Sequence, residues 1–151
     1  VNAMQTAYTD PAGRTTTDAS RNTPGAGTLN HQALTPCVHT FSTHVGFTCN
    51  IHFPASAHDI FIIQIAGTLI QDANFRVILD DTTVGQPKAE NIFWQVAGAV
   101  TMQAGAHMEG IILAKTAVTM GTGSSLNGRI LAQTACNLLK GVEITEPASQ
   151  E

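Results

Sequence analysis

The chain has 151 residues, of which 12% are charged, and its seven Lys and Arg against eleven Asp and Glu give a net charge of −4. This length suits one domain with a substantial core, and the lack of a basic patch argues against nucleic acid or an anionic membrane surface as a partner. Because no run of about 18 apolar residues occurs, the sequence predicts no membrane-spanning helix.

The first segment, 1–13, is predicted to hold a short helix centred on residues 2–9. Its apolar stripe at helical spacing consists of Ala3, Met4, Ala7 and Tyr8. Pro11 and Gly13 are expected to end the helix. A helix this short is marginal alone, so we expect it to lie on another apolar surface. Residues 14–33 are rich in Thr, Ser and Gly and are predicted to form a loop.

The segment 34–146 shows the pattern of a β-solenoid. Gly98–Thr101, Thr116–Thr119 and Thr134–Asn137 occupy equivalent places, each 18 residues after the previous one. A fixed short period of strand-forming residues with Gly at the corners is typical of stacked β coils. The period predicts triangular coils with three sides, within a single domain spanning 1–151. Surplus residues in two earlier coils are assigned to loops, and 147–151 is predicted to be a tail.

The three sides of the predicted coil differ in character, because alternate residues of a strand point to opposite faces. On the first side, runs such as 59–67 and 92–96 are apolar on both faces, which indicates cover on both sides. We expect the N-terminal helix to cover the outer one. On the third side Leu126, Met108 and Ile144 should point inward, leaving an ordinary solvated outer face.

The second side is predicted to present small, neutral or β-branched groups. Its inward set is Leu69, Val100, Met102, Val118, Met120, Cys136 and Leu138. Its candidate functional set is Thr68, Ala99, Thr101, Thr116, Ala117, Thr119, Thr134, Ala135 and Asn137, with Ile70 also pointing outward. From composition alone these residues fit an ordinary strand surface. A flat neutral surface suits neither a concave small-molecule site nor a polyanion.

The three cysteines leave alternatives open. Cys136 takes the place of Val100 and Val118 and is expected to be a small buried hydrophobe. Cys37 and Cys49 could form a disulfide if the chain is secreted; the sequence does not decide this.

Two further site classes find little support. His39, His44 and His52 could converge within one coil, but no histidine shows metal-ligand spacing, so we expect no metal and no cofactor. Carboxylates are scattered over loops; the nearest approach to a pair, Glu109 and Glu143, is predicted to lie about two coils apart. We therefore expect no catalytic residues and no enzyme.

Several segments together resemble the microbial ice-binding (antifreeze) protein family. The matching stretches are MQTAYTDPAGRT at 4–15, LTPCVHTF at 34–41, DIFIIQIAGTL at 59–69, the run from NIFWQVAG to TACNL at 91–138, and VEIT at 142–145. The resemblance implies an all-β solenoid, a discontinuous right-handed triangular β-helix with a helix packed along one side. In that family one flat face binds ice, and some members carry a Thr-Ala/Gly-x-Thr/Asn motif on it. Here 116–119 and 134–137 fit the motif fully, and 98–101 fits without its first Thr.

The resemblance thus implies an extracellular monomer that adsorbs to ice through the second side, causing thermal hysteresis and inhibiting recrystallisation. It implies no nucleic-acid, membrane or small-molecule partner. The alternative is a structural or adhesive β-helix module without ice affinity. Family domains also carry a segment before the helix that forms a first coil and stacks onto the end of the solenoid. We expect this chain to lack that coil, with no signal peptide visible, and to expose the edge of the 129–145 coil.

Overall fold

Short parallel strands wind into five stacked coils in the computed structural model, which describes residues 2–15, 27–30, 34–81 and 85–147. Helix α1 spans Asn2–Gly13, and a 3₁₀ turn occupies Ala89–Asn91. The strands are β1 (Cys37–Phe41), β2 (Val45–Phe47), β3 (Ile51–Pro54), β4 (Phe61–Ile65), β5 (Leu69–Gln71), β6 (Val77–Asp80), β7 (Ile92–Val96), β8 (Val100–Met102), β9 (His107–Ala114), β10 (Val118–Met120), β11 (Ser125–Ala132), β12 (Cys136–Leu138) and β13 (Glu143–Thr145).

The strands form the three sides of a triangle, and the β-helix predicted from the period is confirmed. The first side is ordered β1-β4-β7-β9-β11 and the second β2-β5-β8-β10-β12, while β13 pairs with the first half of β11 on the third side, where β3 pairs with β6. Val100 pairs with Val118, and Val118 with Cys136, which is the predicted 18-residue register. The pairs Val45–Leu69 and Leu69–Val100 confirm the longer earlier coils.

Strands β9 and β11 each bend from the third side onto the first at a glycine. Gly110, with φ +119°, pairs with Gly128 in the next coil. A Cβ on Gly128 would lie 1.8 Å from the Gly110 carbonyl oxygen. Only glycine allows the two backbones to approach this closely at the corner.

The core lies inside the triangle and changes in character along the solenoid. The longer early coils bury large aromatic groups, with Phe53 and Phe61 edge-to-face at 4.8 Å and Trp94 fully enclosed. The Trp94 indole N–H donates to the Glu109 carbonyl at 2.9 Å, so its polar atom is satisfied. The 18-residue coils instead bury aliphatic and methionine side chains, among them Met102, Met108, Val118, Met120 and Leu126.

Helix α1 packs on the outer surface of the first side, against β4, β7 and β9, as predicted. The expectation that Pro11 ends the helix is wrong, because the helix continues to Gly13 with Pro11 inside it. Pro11 is buried, and its carbonyl accepts a hydrogen bond from the Gln64 amide, which also donates to Arg14 O at 2.6 Å. These tertiary bonds anchor the last turn although proline lacks an N–H.

Some predictions for the N-terminal region lie outside the described residues. In the apolar stripe Ala7 is half-buried, whereas the side chains of Ala3, Met4 and Tyr8 are not described. Of the predicted loop 14–33, only 14–15 and 27–30 are described. The helix α1 is too short to cross a membrane, and the same holds for every helix of the described ranges.

The two ends of the solenoid differ. At the first coil Leu29 and Leu34 are 0% and 1% exposed and close the interior. At the last coil no described strand lies beyond β12 or β13. The expectation that Cys136 is buried is therefore wrong, because it is exposed. Leu138 and Ile144 take inward register positions as predicted, but they are 51% and 43% exposed, since no described coil lies over them.

The third side is not the fully solvated face expected from the sequence. The 3₁₀ turn Ala89–Asn91 packs against β9 and β11. On the same side His107 bonds Ser125 Oγ through Nδ1 at 2.7 Å and Glu109 through Nε2 at 2.8 Å. The Asn127 amide donates to the second Glu109 oxygen at 2.7 Å. Because both Glu109 carboxylate oxygens accept hydrogen bonds from neighbouring side chains, we interpret this network as a structural one that links β9 to β11.

We predict that Gly128→Ala destabilises the protein by several kcal/mol, roughly 3 or more, because the added methyl must push two coil corners apart. The measurement is the free energy of unfolding in urea. Gly13→Ala is the matched control, since nothing lies within 4 Å of its Cβ position. Equal stability of both variants would contradict the close approach at the corner.

Candidate functional site

The nine candidate residues lie on the second side, either in its strands or in the bends just before them. Strand register aligns Thr101, Thr119 and Asn137, and backbone hydrogen bonds between coils align the residues that precede the strands. We define the flat face as these nine residues together with Ile70. One row contains Ile70, Thr101, Thr119 and Asn137, which are direct partners in consecutive strand pairs. The neighbouring row contains Thr68, Ala99, Ala117 and Ala135, and Thr116 with Thr134 forms the corner row.

Backbone hydrogen bonds hold these rows at a fixed spacing. Val100 N donates to Ala117 O at 3.0 Å, and Val118 N donates to Ala135 O at 2.9 Å. Parallel strands paired in this way lie about 4.8 Å apart. The side chains are β-branched or carry no rotatable heavy-atom torsion, apart from Asn137, so their positions are stiff. The flat face is therefore a rigid and regular grid.

The inward partners of these rows fill the core and support the face from beneath. Leu69, Val100 and Val118 are each 0% exposed, as the alternation predicted. Gln71, which the sequence argument did not place, is also 0% exposed in the position equivalent to Met102. Its amide donates to the carbonyls of Phe75 at 3.0 Å and His107 at 2.9 Å.

The corner row changes from glycine to threonine along the solenoid for a steric reason. A Cβ at Gly98 would lie 2.6 Å from the Gly67 carbonyl oxygen, and one at Gly67 would lie 2.6 Å from His44 N. A threonine at either position would clash with backbone. This explains why the motif at 98–101 lacks the first Thr that Thr116 and Thr134 provide.

The hydroxyl groups of the flat face are not equally available. Thr116 Oγ1 is buried without a hydrogen-bond partner among the described residues. Thr68 Oγ1 is hydrogen-bonded to His44 Nδ1 at 2.8 Å. Thr101 and Thr119 are half-buried. The Asn137 amide donates a weak hydrogen bond to Thr119 Oγ1 at 3.5 Å. The more accessible polar side chains of the flat face are thus Thr101, Thr119 and Asn137 in one row and Thr134 in the corner row.

The last coil presents the most exposed part of the flat face. Thr134, Ala135 and Asn137 are all exposed. Desolvation by partial burial raises the pKa of the neighbouring Cys136 thiol. Because a raised pKa keeps the thiol neutral at physiological pH, it adds no charge beside the face.

The cysteine and histidine side chains considered for a disulfide or a metal site have separate surroundings in the described residues. Cys37 and Cys49 are free thiols, as is Cys136. His39 Nε2 lies 2.8 Å from Thr35 O, and His52 Nδ1 lies 2.8 Å from Asp80 Oδ1. Within the described ranges no group of three metal-ligating side chains comes together.

Comparison with known proteins identifies relatives over most of the chain. Residues 1–145 match the model of the ice-binding-like family. An ice-binding protein of Flavobacterium frigoris (strain PS1) is 40% identical over 116 residues, which cover 77% of this chain and 40% of that protein. Ice-binding protein K1-A of Typhula ishikariensis is 43% identical over 114 residues, covering 76% of this chain and 44% of that protein.

Solved structures show the same fold. A glycosylated ice-binding protein from an Arctic yeast has a TM-score of 0.89 and 34% identity, covering all of this chain and 62% of that one. An ice-binding protein from the Antarctic ascomycete Antarctomyces psychrotrophicus has a TM-score of 0.86 and 27% identity, covering 97% of this chain and 69% of that one. The chain thus spans less than half the length of the two sequence relatives described above.

We predict that Thr116→Val stabilises the protein by about 1 kcal/mol, because it replaces a buried hydroxyl that has no partner by a methyl group. The measurement is the midpoint of urea unfolding at constant m-value. Thr119→Val is the matched control, with a half-exposed hydroxyl and an expected change within about 0.5 kcal/mol. A loss of stability on Thr116→Val would show that the hydroxyl has a partner.

Proposed function

Because the chain belongs to the ice-binding-like family, we propose that it adsorbs to ice through the flat face, and thereby depresses the freezing point and inhibits recrystallisation. The observation that carries the proposal is the alignment of Thr101, Thr119 and Asn137 in one row beside Ala99, Ala117 and Ala135. The proposed contact residues are the nine of the sequence analysis.

The proposed mechanism uses no covalent chemistry. The methyl groups of Thr and Ala order the adjacent water, as apolar surface does, while the Thr hydroxyls and the Asn137 amide anchor that water by hydrogen bonds. The ordered layer then joins the crystal lattice. Each contact is weak, so the area and flatness of the grid decide the affinity. Adsorbed molecules stop growth because the ice front between them must curve.

The physical character of the face supports ice as a target over other ligand classes. None of its ten residues is charged, so it offers no attraction to a polyanion. Its stiffness keeps the entropy lost on binding small. All rows come from one chain, and we therefore propose that a monomer is the active unit. We also propose an extracellular location, where ice would meet the protein.

We predict that Thr119→Tyr and Thr101→Tyr each remove at least about half of the thermal hysteresis, because a ring above the plane holds the neighbouring coils away from the crystal. The protein should remain folded, because both side chains point away from the core and a ring can extend into the solvent. The measurement is the freezing-point hysteresis gap, with crystal shape observed, and a thermal unfolding curve for each variant.

Thr145→Tyr is the matched control, because Thr145 is an exposed strand threonine on the third side. Full activity in both face variants would move the site elsewhere. If the unmodified chain affects neither freezing nor recrystallisation at high concentration, the structural or adhesive module is the better description.

A further inference from the structure

We propose that Ile70 and His44 form the boundary of the flat face, and that their side chains restrict close ice contact to the last three coils, which excludes Thr68 from the nine candidate residues. This inference rests on the proposed function. Nothing in the backbone ends the face at this point: Leu69 N donates to Ala99 O at 3.0 Å, and Val45 N donates to Thr68 O at 2.8 Å. The backbone grid therefore continues unbroken through the first two coils.

Ile70 interrupts the row by its size. It pairs directly with Thr101, so its Cβ takes the next position of the row. Ile70 is 41% exposed, whereas Thr101, which has a paired strand on each side, is less exposed and counts as half-buried. Ile carries one more methyl group than Thr and no hydroxyl, so it stands above the plane that Thr101 and Thr119 define. A flat crystal surface would meet this methyl first and would be held off the coil.

The coil beyond Ile70 cannot restore the plane. Gly46 pairs with Ile70 and has no side chain, so a depression interrupts the row there, before Thr28 takes the next position as the bridge partner of Gly46. A threonine at 70 would thus extend the row by one position, from three coils to four. Because coils are evenly spaced, the flat area would rise by roughly a third.

His44 restricts the neighbouring row by a different means. Its Nδ1 lies 2.8 Å from Thr68 Oγ1 and accepts the Thr68 N–H at 3.0 Å. The exposed imidazole ring therefore lies against both of these polar atoms of Thr68 and occupies the surface beside this position. The equivalent position in later coils holds only the methyl of Ala99 or Ala117.

The test is to measure thermal hysteresis for the full chain, Ile70→Thr, Ile70→Leu and the Thr119→Tyr variant at equal concentration. Ile70→Thr should raise activity by at least about a third, in proportion to the added flat area. Ile70→Leu keeps the volume of Ile70 and should give no gain. His44→Ala, which removes the ring beside Thr68, should give a further rise when combined with Ile70→Thr. Thermal unfolding verifies that each variant is folded.

The outcomes separate this inference from the proposed function. If Thr119→Tyr loses activity but Ile70→Thr gains none, the boundary proposal is wrong and the ice face stands. An equal gain with Ile70→Leu would also overturn it, because the Leu variant leaves the extra bulk in place. If the unmodified chain and every variant are inactive, the proposed function fails and the boundary fails with it.

Discussion

The flat face depends on the register of the parallel hydrogen bonds that join one coil to the next. The bonds from Val100 to Ala117 and from Val118 to Ala135 place each threonine directly over its equivalent. A slip of one residue would exchange the Thr101 row for the Met102 row and would turn buried side chains to the surface. The burial of Val100, Met102 and Val118 therefore fixes the register that a regular surface needs.

The extra residues of the longer coils lie outside the second-side strands and leave the register of those strands unchanged. Two early coils are longer than 18 residues, yet Val45, Leu69 and Val100 remain aligned. After the larger surplus, the 3₁₀ turn Ala89–Asn91 packs against β9 and β11, the strands that carry the His107 and Glu109 network. Insertions on that side leave the second side unchanged, because only the strands, not the corners, set the spacing of the rows.

The end of the solenoid whose interior is closed has the less regular face, and the end with the most regular face has the more exposed interior residues. The first coil is closed by Leu29 and Leu34, and there the grid is interrupted by His44 and Gly46. The last coil has the complete Thr-Ala-x-Asn pattern, and there Leu138 and Ile144 remain exposed. The best-formed rows thus adjoin the unpaired strand edge, so the substitutions that probe the face must be checked for effects on that edge.

The sequence by itself determined the period of 18, the inward and outward sets and the covered first side, because these follow from strand alternation and local spacing. It was wrong where burial depends on what lies beyond a residue: Cys136 has the right register, but no described coil lies over it. It was also wrong about Pro11, which lies inside the helix, where the Gln64 amide donates to its carbonyl. Only the tertiary structure decided which hydroxyls of the flat face are available. Thr68 is bonded to His44, and Thr116 is buried, since contacts between residues distant in sequence are invisible to a periodic pattern.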